Sequence, residues 1–99
     1  MDSSTRLRRH ANTTFQVVAD EAILIYLNTG AYFSLNKVGT EFWQMLDGEQ
    51  TIQAHATTLA AKYNVESATV AADLLELAEK MAADHLVDEA PFPAGRGVG

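Results

Sequence analysis

Ninety-nine residues make a single domain the default, and a chain of that length can bury a core of its own. With 47% hydrophobic residues the composition is globular rather than disordered, and the lack of cysteine excludes disulfides, thiolate metal sites and cysteine nucleophiles. The net charge of −6 is uneven: residues 1–19 carry +2 and residues 20–99 carry −8, so the body repels a phosphate backbone. No apolar run approaches the roughly 18 residues of a membrane span, and no apolar stretch follows the N-terminal arginines. The chain is therefore expected to be soluble and cytoplasmic, with no secretory signal and no membrane partner.

Residues 1–12 are polar and aperiodic and read as a flexible N-terminal tail. Residues 89–99, with both prolines and three of the six glycines, read as a flexible C-terminal tail, leaving 13–88 as the domain. Thr14–Val18 is short and β-branched, a first strand. Ala22–Leu27 is a continuous apolar run that suits a strand buried on both faces. Asn28-Thr29-Gly30 turns the chain, and Ala31–Leu35 returns as a third strand. Alternation places Ala31, Phe33 and Leu35 on one face and Tyr32 and Ser34 on the other.

From Lys37 the period becomes helical. Val38, Phe42, Met45 and Leu46 mark a first helix, weakened by Gly39 and stopped at Asp47-Gly48. Thr51 caps a second helix with a stripe of Ile52, Ala56, Leu59, Ala60 and Tyr63, closed by Asn64. Ser67 caps a third that runs to about His85. Its apolar arc covers about half the circumference, wider than the roughly 100° stripe that one core requires. Either it packs against two helices, the commoner arrangement, or it also lines a groove. Val38, Phe42, Trp43, Leu46, Ile23, Ile25, Ile52, Leu59 and Val70 are the expected core.

Catalytic chemistry has no visible carrier. His10, His55 and His85 stand apart from one another, none at metal-ligand spacing, and read as surface or helix-end residues. The glycines are isolated, so no phosphate cradle forms, and Asp20-Glu21 and Asp88-Glu89 lie at element ends as solvated charge. A phosphopantetheine carrier would need a serine in an Asp-Ser-Leu context, and the chain offers Asp73-Leu74-Leu75. No catalytic residue, metal site or cofactor is expected.

A set of short motifs runs from Asp20 to Val87. Leu27-Asn28-Thr29-Gly30-Ala31-Tyr32-Phe33-Ser34-Leu35-Asn36 precedes Val38-Gly39-Thr40-Glu41-Phe42-Trp43-Gln44-Met45-Leu46-Asp47-Gly48, and Asp73-Leu74, Leu77, Met81 and Leu86-Val87 follow. Their order and spacing resemble the PqqD-like family of RiPP recognition elements, over about two thirds of the chain. The resemblance implies an α+β fold: a winged helix-turn-helix with a three-stranded antiparallel sheet followed by three helices. It implies binding of the leader region of a ribosomally made precursor peptide, and presentation to a maturation enzyme such as a leader protease, a cyclase or a radical-SAM enzyme. The leader would add a strand beside the third strand and place side chains in a groove under the third helix. Members that serve pyrroloquinoline quinone synthesis carry a Leu-Cys-Asp-Gly stop, where this chain has Met45-Leu46-Asp47-Gly48. Stand-alone recognition proteins of lasso-peptide or other maturation systems are the closer match.

The third strand has no proline and no charge, the usual guards of an edge, so an open edge there would accept an added strand. The expected peptide contacts are Tyr32, Phe33, Ser34 and Leu35 from the strand. From the helix they are Asp73, Leu74, Leu77, Lys80 and Met81, with the two charges at the rim. A DNA-binding winged helix shares the fold class but needs a basic recognition helix. The second helix carries only Lys62 and the third is acidic, so no nucleic-acid partner is expected.

Overall fold

A computed structural model describes residues 1–91. Five strands and three helices follow in the order β1 (Leu7–Arg9), β2 (Thr13–Val18), β3 (Glu21–Tyr26), β4 (Tyr32–Leu35), α1 (Lys37–Met45), α2 (Ile52–Tyr63), α3 (Ser67–Ala83) and β5 (Val87–Glu89). β2, β3 and β4 form an antiparallel sheet in sequence order, and β1 pairs antiparallel with β5 in a second, two-stranded sheet. The expected α+β architecture is present, with the two-stranded ribbon as an addition to it.

The sheet shows how turn chemistry and alternation set the register. Ala19 and Asp20 both take positive φ (52° and 67°), the two-residue turn geometry whose twist matches the flanking strands. Gly30, at φ 76°, turns β3 into β4. Along β3 the burial alternates: Ala22 and Leu24 are buried, while Ile23 and Ile25 are on the outer face. The expectation that this run is buried on both faces, with Ile23 and Ile25 in the core, is therefore corrected. The helices cover one face of the sheet only, and among the described residues nothing packs on the other.

Helix ends follow the local sequence. Asn36 caps α1 by accepting the Gly39 N–H (2.8 Å), and Thr51 caps α2 by accepting the Ala54 N–H (3.1 Å). Asn64 closes α2 in the left-handed conformation at φ 54°. The cap of α3 is Glu66 rather than Ser67, and it makes no side-chain hydrogen bond. α3 ends at Ala83, and His85, at φ 64°, belongs to the turn into β5.

Phe42 and Trp43 of α1, Ile52 and Leu59 of α2, and Leu74 and Met81 of α3 meet Leu24 and Leu35 of the sheet in one core. Leu46 is buried with them, while Val38 and Val70, expected inside, are half-buried at its margin. Trp43 is fully buried; its Nε1 makes no hydrogen bond, and the Phe15 ring stands edge-on to it at 5.6 Å.

The N-terminal segment is part of this architecture. Leu7 is buried in the main core, and Arg8 stands opposite Asp88 across the ribbon. The carbonyls of Ser3 and Thr5 accept the N–H groups of Gln53 (2.8 Å) and Ile52 (3.0 Å), two donors that the first turn of α2 cannot satisfy internally. Gly48 N–H donates to the Leu7 carbonyl at 3.0 Å, and Ala90 N–H to the Arg6 carbonyl at 2.7 Å. Residues 3–9, expected as part of a flexible tail, thus cap α2 and hold β5. A run of polar residues hides this because only Leu7 is apolar; the rest contribute backbone. Of the expected C-terminal tail, Glu89 ends β5 and residues 92–99 lie outside the described residues.

Two measurements check this packing. Leu7→Ala is expected to lower the unfolding free energy by about 2–5 kcal/mol in urea titration, the cost of a core leucine; a surface-like loss below about 0.5 kcal/mol would show that the segment does not join the core. His55 is 2% exposed, neither ring nitrogen has a partner, and Phe42 stands edge-on to it at 5.7 Å. Burial holds its pKa below the ordinary value of 6.5, while the Asp47 carboxylate pulls weakly the other way. The unfolded chain therefore binds a proton first as the pH falls. The full contribution is present above about pH 6.5 and is lost on acidification towards the lowered folded value. The melting temperature should fall from about pH 7 to pH 5, and His55→Leu should flatten that slope. Equal slopes in the two proteins would exclude His55 as the source.

Candidate functional site

The face of α3 next to its core-facing side opens onto a groove of about 840 Å³ against β4. The two faces adjoin and share Leu74. Ala71, Leu74, Ala78 and Met81 point into the core. Val70, Asp73, Leu74, Leu77 and Lys80, at intervals of three and four, line the groove. The half-circumference arc is wide because it covers both surfaces. Both readings of the wide arc hold at once, since α3 packs against α2, touches α1 at Gly39 and also lines the groove.

Phe33 and Leu35 supply the opposite wall, and buried Leu35, Leu59 and Leu74 make the apolar floor. Gly39 of α1 closes the bottom. A Cβ there would meet Leu77 Cδ2 at 3.2 Å, Asn36 Oδ1 at 3.3 Å and Leu35 Cδ2 at 3.4 Å, tighter than ordinary contact. This glycine lets α1, β4 and α3 converge, so the small helix penalty read from its sequence has a packing cause. Tyr63 and Val65 complete the far end where α2 turns into α3.

Polar groups stand at the rim and the far end. Asp73 and Lys80 are exposed; Lys80 also lies 3.3 Å from Glu76, an exposed i,i+4 pair worth little in water. Below Tyr63, Glu41 Oε1 accepts from Lys62 Nζ at 2.6 Å, and this bond holds the Glu41 carboxyl below its usual range and the Lys62 amine above its own. Burial, and then the Glu41 carboxylate as a polar and charged neighbour, pushes the Tyr63 phenol up. The Tyr63 hydroxyl and Glu41 Oε2 are both shielded from solvent with no partner at ordinary hydrogen-bond distance, so the two lie as neighbouring polar atoms behind the far end of the groove.

The groove adjoins an open sheet edge. In an antiparallel ladder, successive residues direct their N–H and C=O groups to opposite sides. Tyr26 N–H donates to the Ala31 carbonyl (2.9 Å) and Leu27 N–H to the Asn12 carbonyl (2.8 Å), so even-numbered residues of β3 face β4 and odd-numbered ones face β2. Phe33 stands opposite Leu24 and Leu35 opposite Ala22. Their backbone groups therefore point inward, and those of Tyr32 and Ser34 point out of the sheet, with no strand of the described residues beyond them.

Seven of the nine expected contact residues line the groove: Phe33, Ser34, Leu35, Asp73, Leu74, Leu77 and Lys80. Tyr32 does not; its side chain is 74% exposed on the outer face, and only its backbone is turned to the open edge. Met81 is corrected: it is fully buried in the core, because one turn of α3 beyond Leu77 the helix face has rotated away from β4. Val38, Gly39, Leu59 and Tyr63 were not expected as lining. Only the Val38-Gly39 pair carried a signal, a glycine inside a helical pattern that needs a packing reason. Among the described residues, no group of three or more His, Cys, Asp and Glu side chains could hold a metal ion. No helix of the described residues is long and apolar enough to cross a membrane.

Comparison with known proteins adds two findings. The family model described as coenzyme PQQ synthesis protein D (PqqD) matches residues 21–87, the span that contains the sheet hairpin, all three helices and the groove. Among solved structures, TbiB1 in complex with the TbiA(beta) leader peptide is similar, with a TM-score of 0.74 and 27% identity over 82% of this chain and 94% of that one. No curated protein matches the chain.

Amide exchange in the free protein checks the edge. The amides of Phe33 and Leu35 should exchange slowly and those of Tyr32 and Ser34 fast, since only the first pair is bonded within the sheet. Equal protection at all four would mean that another segment covers β4.

Proposed function

The chain belongs to the PqqD family, and on that premise we propose that it is a RiPP recognition element which binds the leader segment of a ribosomally made precursor peptide. The leader lies as an added strand along β4. Its backbone bonds to the outward groups of Tyr32 and Ser34, and alternate side chains drop into the groove between Phe33 and Leu77. One observation carries this reading: the unguarded edge and the apolar groove share the same short strand. Backbone bonds then supply affinity, and the pocket supplies sequence preference. The bound leader of TbiB1, a relative of similar fold, supports it.

The energetic demand is modest. Micromolar binding needs about −8 kcal/mol net. Burying two or three aliphatic or aromatic anchors yields roughly 1.5–3 kcal/mol each, with a few strand hydrogen bonds at about 1 kcal/mol each. The rim charges, Asp73 and Lys80, are placed to read side chains at the groove mouth and to reject peptides of the wrong sign.

The groove holds only a short extended segment, so the rest of a precursor stays outside it. The domain then acts by delivering that remainder to a maturation enzyme, a leader protease, a cyclase or a radical-SAM enzyme, and the chemistry belongs to that enzyme. The departure from the quinone-type stop at Met45-Leu46-Asp47-Gly48 favours lasso-peptide or other peptide-maturation systems over quinone cofactor synthesis.

Fluorescence anisotropy with the labelled leader peptide encoded beside this protein tests the reading. Saturable binding is expected, with a loss of about a hundredfold or more for Leu77→Asp or Phe33→Asp, since each buries an unpaired charge. Circular dichroism should show both variants folded. A scrambled peptide that binds equally well would overturn specific recognition.

A further inference from the structure

The outer face of the sheet, which no described helix covers, is ordered in rows. Thr14, Ile25 and Tyr32 stand side by side across β2, β3 and β4, and Gln16, Ile23 and Ser34 form the next row. Ile25 and Ile23, at the centre of each, are 36% and 42% exposed, and no residue of either row is charged. Tyr32 ends the first row at the open edge. Its side chain makes no hydrogen bond or ring contact with any described residue, and it is the most exposed large hydrophobic side chain among them. On one side it faces Ile25, an aromatic and β-branched pair of the kind that stabilises a sheet. On its other side no strand of the described residues continues the row.

A peptide added to β4 continues it. Successive residues of an extended chain alternate between the two faces, whichever way the chain runs. The leader residue level with Phe33 turns into the groove, so its neighbour level with Tyr32 turns to the outer face. The outward backbone groups of Tyr32 bond to that neighbour and hold the two Cα atoms roughly 5.5 Å apart, within side-chain contact. We propose that Tyr32 is a second specificity determinant, which reads an aromatic or β-branched leader side chain on the outer face, next in sequence to the one that fills the groove. This rests on leader binding at β4 and deepens it. The preferred leader segment carries two adjacent apolar residues on opposite faces rather than apolar residues at alternate positions only. A charged side chain level with Tyr32 would lie against that ring and Ile25 and lose hydration without gaining a partner. Ser34, the other outward position of β4, is small and polar and makes no such demand.

Anisotropy titration of the labelled leader peptide encoded beside this protein, and of its single-alanine variants, against the full chain tests the inference. Tyr32→Ala should weaken binding by about three- to fivefold, and Tyr32→Phe, which keeps the ring, should restore it. One leader position should couple to Tyr32: its alanine variant weakens binding to the wild-type protein and costs little more against Tyr32→Ala. An adjacent leader position should couple to Leu77→Ala instead. Coupling at one position is a signature that a merely structural role for Tyr32 would not give. Unchanged affinity in Tyr32→Ala, or a loss that adds equally to every leader substitution, would overturn the inference; if Leu77→Asp still abolishes binding, the groove reading stands without it. No saturable binding by the wild-type protein is the failure of the groove reading itself, and this inference falls with it.

Discussion

Where β4 ends, the sheet would be left with an unsatisfied donor. Ala22 stands opposite Leu35, the last residue of β4 before the chain turns into α1. The buried hydroxyl of Thr40 supplies an acceptor there, taking the Ala22 N–H at 2.8 Å, and reaches the Leu35 carbonyl at 3.5 Å. An unmet buried amide costs about 1–3 kcal/mol, so this bond fixes where the first turn of α1 meets the sheet. The rest of the site follows from that contact. Asn36 caps the helix just before it, and Gly39, one residue from Thr40, lets Leu77 of α3 approach. The width of the groove between β4 and α3 is set by side chains that meet over Gly39.

The same constraint explains why the groove is apolar and still open. β4 is only four residues long and ends in the α1 cap, so it supplies two core side chains, Phe33 and Leu35, and two outward backbone positions, Tyr32 and Ser34. α1 occupies the space below, and α3 is held off by α2, against which it packs. None of the described elements lies along the outer side of β4. The exposed charges on α3 stand at the mouth, where water screens them and where they remain free to choose a new partner.

Much of this was legible in the sequence, because the signals were local. Period-two and period-3.6 patterns located the main sheet and all three helices. Gly30, Asn36, Thr51 and Asn64 marked turns or helix ends for reasons of φ and capping. Seven groove residues followed from an edge strand without guards and a helix with too wide a stripe. What escaped depended on distant partners. β1 has one apolar residue, and its role rests on carbonyls given to α2 and β5, which leave no mark in side-chain pattern. Ile23 and Ile25 read as core because an apolar run does not say that helices cover one face only. Met81 and Leu77 differ by one turn of α3, and only the placement of the helix against β4 separates core from groove.

The central claim is that peptide joins the sheet at β4. Residue-resolved amide exchange of the protein with and without its leader peptide tests it most directly. The account predicts that saturating peptide slows exchange at Tyr32 and Ser34 by about tenfold or more, while Phe33 and Leu35 change little. Protection that appears along β2 while Tyr32 and Ser34 keep exchanging fast would contradict it.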